Sequence, residues 1–234
     1  MTSPDPGRRA ELGENLAAME QRLTVAARAV GRSRGELTLI AVSKTWPLED
    51  LLLMRDLGVR DFGENRDQEA RQKAAGLTGV RWHFIGAVQS NKAASVASYA
   101  DLVHSVDRMS LVTALSRAAT AAGRTIEVLL QLSLDGDTAR GGALPADLPA
   151  LAAAAATASG LRLSGVMAVA PRTADPARAF AELARLSTQL REQHPQAGVV
   201  SAGMSGDLEQ AVAAGATHLR VGSALFGRRT TVFR

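Results

Sequence analysis

The chain has 234 residues, 46% hydrophobic and 21% charged, with a formal net charge of +4, a length for one large domain with no shift in composition to mark a boundary. It has no cysteine, which excludes disulfides, thiolate zinc sites and cysteine nucleophiles and points to an intracellular, cytoplasmic protein. No apolar leader follows Met1 and no stretch reaches the roughly 20 apolar residues of a membrane span, while scattered Lys and Arg and an aromatic content of 3% argue against direct nucleic-acid binding.

In chain order, residues 1–8 read as a flexible tail, and residues 9–30 as a helix with Leu12, Leu16, Met19 and Leu23 near helical spacing. Eight short apolar segments follow, at 37–42, 59–62, 82–85, 101–104, 126–132, 163–169, 199–202 and 217–221. Helical patterns fall between them at 47–57, 65–75, 89–98, 107–122, 146–159, 175–193 and 206–214. This alternation predicts an α/β fold: a single-domain (β/α)8 TIM barrel over residues 9–234 with an additional N-terminal helix. An open doubly wound sheet is the competitor. No strand leads into a G-x-G-x-x-G turn, and the repeats fill the chain without a second domain.

The chemistry-bearing residues fall where such a barrel places its working groups, at the C-terminal ends of strands. Lys44 ends the first strand, Asn65 follows the second, Met204 and Ser205 follow the seventh, and Arg220, Gly222 and Ser223 end the eighth. Turns of Gly and Ser let a backbone approach an anion and cap a helix whose N–H groups are free, so Gly203–Gly206 and Gly222–Ser223 together read as a phosphate cradle. A lysine at a strand end either snorkels to solvent or presents its amine to the barrel mouth. In the second case partial desolvation and a neighbouring Arg220 favour the free amine that forms a Schiff base. Strand alternation puts His218, Arg220 and Gly222 on one face and Leu219 and Val221 on the other. The set suggests a pocket for a phosphorylated aldehyde. His83 reads as a core histidine donating to a backbone carbonyl, with general base as the alternative, and the histidine spacings suggest no metal site.

Several segments carry a family resemblance. They are Ala41-Val42-Ser43-Lys44-Thr45, Phe62-Gly63-Glu64-Asn65, Trp82-His83-Phe84-Ile85-Gly86 running on to Gln89-Ser90-Asn91-Lys92, Gly203-Met204-Ser205-Gly206-Asp207, and Arg220-Val221-Gly222-Ser223-Ala224-Leu225-Phe226-Gly227. In order and spacing, from about residue 37 to 228, the chain resembles the YggS/PROSC family, the pyridoxal 5'-phosphate (PLP) homeostasis proteins. The resemblance implies a barrel like the N-terminal domain of alanine racemase, with PLP bound covalently to Lys44. It implies Arg220 near the pyridine nitrogen, Ser205, Gly222 and Ser223 around the phosphate, and Asn65, Met204 and His83 lining or supporting the pocket. Ser133 stands where the family more often has Asn, and Arg140 where Lys is frequent.

The resemblance implies a carrier or buffer of PLP, with PLP-dependent apo-enzymes as recipients. A racemase of this kind uses a lysine and a tyrosine on opposite faces of the cofactor, the tyrosine coming from a second domain. Here the single tyrosine, Tyr99, leads into the fourth strand, at the wrong end of the barrel. The alternatives are a weak single-domain racemase and a lysine-dependent barrel enzyme acting on a phosphorylated substrate. The apolar residues are accounted for by barrel core and helix backing, which points to a monomer.

Overall fold

In the computed structural model, which describes residues 6–171 and 174–227, eight parallel strands close into a barrel in sequence order. They are β1 (Thr38–Val42), β2 (Asp61–Glu64), β3 (Arg81–Phe84), β4 (Leu102–Val106), β5 (Ile126–Gln131), β6 (Leu161–Met167), β7 (Val199–Ser201) and β8 (His218–Val221). The seam is β8 against β1, with Thr38 opposite His218 and Ile40 opposite Arg220. Helix α1 (Pro6–Ala29) precedes the barrel. Between strands lie α2 (Leu48–Asp56), α3 (Asp67–Gly76), α4 (Ala93–Tyr99), α5 (Met109–Ala121), α6 (Leu148–Thr157), α7 (Pro176–Gln193) and α8 (Leu208–Ala213), and α9 (Ser223–Phe226) follows β8. The alternation of the sequence is thus that of a TIM barrel.

Alternating strand residues serve two cores. Leu39, Ala41, Phe62, Trp82, Phe84, Val103, Val128, Leu130, Leu219 and Val221 belong to the large cluster that also contains the helix residues. Inside the barrel, Leu102, Leu129 and Met167, backed by Val199, form a separate small apolar plug. Polar groups fill much of the remaining interior: His83, His104, Ser201, His218 and Arg220 are all buried, with Ile40 of β1 beside them.

Among the described residues the helix after β8, α9, has four residues, too few to cover the β8–β1 seam. Helix α1 fills that place, lying against α2, α8 and α9 and burying Leu12, Met19, Leu23, Ala26 and Ala27. It begins at Pro6, so residues 6–8 are helical rather than part of a tail, while residues 1–5 of the expected tail lie outside the described residues. Arg8 explains the early start. Its guanidinium meets both carboxylate oxygens of buried Asp50, at 3.1 and 2.6 Å, donates to the Phe226 carbonyl at 2.9 Å, and lies 5.0 Å from the Trp46 ring centroid.

Strands β2 and β6 depart most from their expected bounds, β6 running from 161 to 167 instead of 163 to 169 and β2 from 61 to 64 instead of 59 to 62. Gly58, at φ +104°, still belongs to the turn that ends α2, and Val59 bonds back to Met54. At the other end Glu64 stays in the strand because its carboxylate is neutralised within the protein.

Candidate functional site

The turns after β1, β7 and β8 meet around one cleft of about 480 Å³. Val42, Lys44 and Trp46 come from the first strand and its turn, Ile85 from beyond β3, Met204, Ser205 and Gly206 from the β7 turn, and Arg220, Gly222, Ser223 and Gly227 from β8 and beyond. Of the residues predicted from the sequence, Lys44, Met204, Ser205, Arg220, Gly222 and Ser223 are therefore brought together. Lys44 is half-buried and Arg220 fully buried. Among the described residues lining the cleft, these two are the only lysine and arginine, and no Asp, Glu or His joins them.

The two small-residue turns differ in construction. Ser223 opens α9, where the Leu225 and Phe226 N–H groups bond the Gly222 carbonyl and those of Ser223 and Ala224 have no partner within the helix. In the β7 turn the Asp207 carboxylate accepts from the Met204 N–H at 2.6 Å, tying the loop to the start of α8 without capping that helix. A Cβ built on Gly206 would meet no protein atom within 4 Å, so this backbone is free of crowding where it lines the cleft. Trp46 closes one side, stacked on Phe226 with ring centroids 5.6 Å apart.

Asn65 and His83 do not line the cleft. Asn65 follows β2, half-buried, with its side-chain oxygen buried and unpartnered. His83 lies in the barrel core, and its partners correct the expected backbone carbonyl: Nε2 is 2.9 Å from Asp61 Oδ1 and Nδ1 is 3.0 Å from His104 Nε2. From His104 the contacts continue through Nδ1 to the Ser201 hydroxyl at 2.9 Å, and Arg220 Nη1 donates to that hydroxyl at 2.6 Å. Arg220 Nη2 donates to the Ala168 carbonyl at 2.8 Å. Burial lowers the pKa of His83, drives that of His104 well down and takes His218 to about 3, so all three rings are neutral at pH 7. Burial also lowers Arg220, to about 10, against the pull of Asp207, and it remains a cation. His83 thus supports the cleft from below.

Two groups escaped the sequence reading. Ser201 and His104 join Arg220 to His83, and the same strand parity that placed Arg220 would have found them in β4 and β7. The other is Lys73 of α3, buried and donating to Ser43 O and Glu64 Oε1, each at 2.7 Å, and to Glu69 Oε1 at 2.6 Å. The four-residue spacing of Glu69 and Lys73 was a visible helical signal. Burial, the dominant influence, raises the pKa of Glu64 despite Lys73.

Beside the cleft, and sharing Met204 with it, a second hollow of about 630 Å³ is lined by the β5 loop. Ser133 and Arg140 are here. The Ser133 hydroxyl donates to Asp135 and to the Asp137 carbonyl, and Arg140 pairs with Asp135 and Asp137, so the loop closes on itself. Asp107, the first residue of the helical pattern 107–122, accepts from the Gly142 N–H of this loop, and α5 begins after Arg108. Tyr99 ends α4 and donates to Asp67 at 3.3 Å, away from the cleft.

Residues 15–230 match the family described as alanine racemase, N-terminal domain. A Mycobacterium tuberculosis protein named pyridoxal phosphate homeostasis protein is 42% identical, over 96% of this chain and 95% of its own length. PipY of Synechococcus elongatus, solved with PLP bound, superposes with a TM-score of 0.82 at 35% identity, covering 92% of this chain and 100% of PipY. The alanine racemase of Corynebacterium glutamicum, at 14% identity and a TM-score of 0.72, shares the fold, and the barrel covers 62% of that longer chain.

Proposed function

This chain belongs to the pyridoxal phosphate homeostasis proteins, on the barrel of the alanine racemase N-terminal domain, and we propose that it holds PLP in the cleft between β1, β7 and β8 as a cytoplasmic carrier or buffer. The observation that carries this reading is the convergence of Lys44, Arg220, Ser205, Gly222 and Ser223, distant in sequence, on one cleft. The donor set suits the ligand. When bound, PLP supplies an aldehyde that condenses with an amine and a phosphate that accepts hydrogen bonds. Lys44 offers the amine, in reversible Schiff-base linkage. Ser205, Ser223 and the backbone at Gly206 and Gly222 offer hydroxyl and N–H donors to the phosphate. Arg220, charged and only a donor, can give a hydrogen bond to the ring nitrogen but no proton stays there, which keeps the ring a weak electron sink. The Asn65 oxygen, buried outside the cleft lining and short of a donor, can take one from a buried water.

A carrier needs these groups and no second acid or base. The tyrosine that a two-base racemase requires is absent from the cleft, since Tyr99 sits on Asp67, and the three core histidines are neutral and lie below the cleft. PLP-dependent apo-enzymes are the recipients in this reading, and the carrier acts as a monomer. The test is a visible spectrum of the PLP-loaded protein before and after borohydride, followed by peptide mass. A band removed by reduction, with the mass added on the peptide containing Lys44, supports the reading; label on another lysine overturns it. Steady racemisation or transamination that disappears in Lys44→Ala would overturn the carrier role.

A further inference from the structure

The geometry points to Lys73 as a positioning residue that aims Lys44 by holding the peptide groups on both sides of it. This inference rests on the proposed PLP linkage. The Ser43 carbonyl, in the peptide that precedes the Lys44 Cα, accepts from Lys73 Nζ at 2.7 Å. The Thr45 N–H, in the peptide that follows it, donates to Glu69 Oε1, the same oxygen that accepts from Lys73 at 2.6 Å. Two planes meeting at one Cα fix its φ and ψ, and with them the direction of the side chain. One ammonium therefore sets where the Lys44 stem leaves the barrel.

All three Lys73 donors are used, while the second carboxylate oxygen of Glu64, Oε2, is buried without a partner. An ammonium has three N–H donors, and Lys73 spends the third on Glu64 Oε1, 2.7 Å away. That oxygen also accepts from the Ser43 hydroxyl at 2.7 Å, so the residue before Lys44 is held by backbone and side chain alike. The Lys73 and Glu64 side chains are 7% and 1% exposed, in a setting where solvent cannot substitute for a lost partner. Thr45 is the single described non-glycine residue with positive φ, at +68°. A β-branched residue does not choose the left-handed region, and such strain persists where surrounding contacts over-determine it. The Glu69 carboxylate on its N–H is such a contact. The clamp reaches Lys44 from α3 and lies outside the residues that line the cleft.

A purely structural ion pair between α3 and β2 would alter stability and leave Lys44 chemistry alone, so the test separates the two. Lys73→Met alone strands Glu64, and Lys73→Met with Glu64→Gln keeps the buried site neutral. Glu69→Ala removes the acceptor for Thr45, while Glu69→Gln retains an acceptor oxygen. For each folded variant, borohydride trapping of PLP on Lys44 at a fixed short time is measured beside amide exchange at Thr45. In trapping, the Lys44 amine and the aldehyde lose water to form a C=N bond, which hydride then reduces to a secondary amine. The double variant and Glu69→Ala should trap about tenfold less PLP, from misplacement of the amine. Their Thr45 amide should exchange about tenfold faster while β1 keeps its protection, and Glu69→Gln should recover most of both. Trapping and Thr45 exchange at wild-type rates in Glu69→Ala and the double variant would overturn the clamp. A wild-type protein that forms no adduct at Lys44 would instead defeat the proposed PLP linkage, and unchanged Thr45 exchange would then still overturn the clamp.

Discussion

Arg220 Nη1 donates to the Ser201 hydroxyl at 2.6 Å, and this bond ends a chain whose direction is set at the opposite side of the barrel. The Asp61 carboxylate can only accept, so His83 carries its proton on Nε2. A neutral His83 then accepts on Nδ1 from His104 Nε2–H, and a neutral His104 accepts on Nδ1 from the Ser201 hydroxyl. That leaves the serine oxygen free to accept from Arg220. Each tautomer follows from the one before it, so a cation in the cleft and an anion at the start of β2 polarise one another through three neutral groups.

Ser201→Ala should therefore cost more than a hydroxyl usually does. It leaves a buried acceptor on His104 and a buried cationic donor on Arg220 without partners, and the urea midpoint should report a loss of about 2–3 kcal/mol. The visible spectrum of bound PLP should change with it. A variant within about 0.5 kcal/mol of wild type and with an unchanged spectrum would mean that Arg220 is held by the Ala168 carbonyl alone.

The buried histidines give stability a slope in acid. His83, His104 and His218 have pKa values below the unfolded value near 6.5, with His218 near 3, so below pH 6.5 the unfolded chain takes up protons that the folded one refuses. Stability is fully present above pH 6.5 and falls as pH drops toward 3, by up to about 1.4 kcal/mol per pH unit for each histidine. Glu64 opposes this, since its raised pKa favours the folded state as pH falls toward the carboxylate range, but it is one group against three. Urea midpoints should thus be lower at about pH 5 than at about pH 7.5. Equal midpoints would mean that these rings take up protons in the folded barrel.

How much of this was legible depends on what sequence spacing can carry. The placement of Lys44, Ser205, Arg220, Gly222 and Ser223 at one end of the barrel followed from alternation alone, because strand ends in a closed parallel barrel converge whatever lies between them. The parity that put Arg220 inside and Leu219 outside held for the same reason. Parity could turn His83, His104 and Ser201 inward, but not join them: they lie on β3, β4 and β7, and barrel closure, rather than any spacing, makes them neighbours. Glu64 misled the reading of β2, since a carboxylate at a strand end looks solvated until Lys73, nine residues on, is seen to neutralise it. Helix α1 was found, but its first turn was not, because Pro6-Gly7-Arg8 reads as a tail without Asp50 and Phe226 to receive Arg8.

Gly86→Ala is predicted to damage the cleft without touching a residue that lines it. A Cβ at Gly86 would lie 2.2 Å from the Asn65 carbonyl oxygen and 2.8 Å from the Asn65 Cα, both backbone atoms that cannot rotate away. The β2 turn must shift, taking the Asn65 side chain with it. Gly198→Ala is the control, since a Cβ there meets nothing within 4 Å. We expect Gly86→Ala to lose about 1–3 kcal/mol of stability and to bind PLP more weakly, with Gly198→Ala near wild type in both. Equal behaviour of the two would show that the β2 turn yields without consequence.

Arg8 offers the last test, of the N-terminal helix as a wall of the cleft. Its guanidinium neutralises buried Asp50, takes up the Phe226 carbonyl and lies over Trp46, which lines the cleft and stacks on Phe226. Arg8→Ala removes all of these at once and leaves Asp50 a buried carboxylate without its cation, a change expected to cost about 3 kcal/mol. Trp82 is 5% exposed in the outer core, so any gain in acrylamide quenching would come from Trp46. Arg8→Lys keeps the charge but not the two-pronged contact with Asp50, and should recover part of the stability and less of the Trp46 shielding. If PLP dissociates from Arg8→Ala at the wild-type rate while Trp46 becomes accessible, the wall matters to the fold and not to retention; faster release accompanying exposure would tie α1 to the cleft.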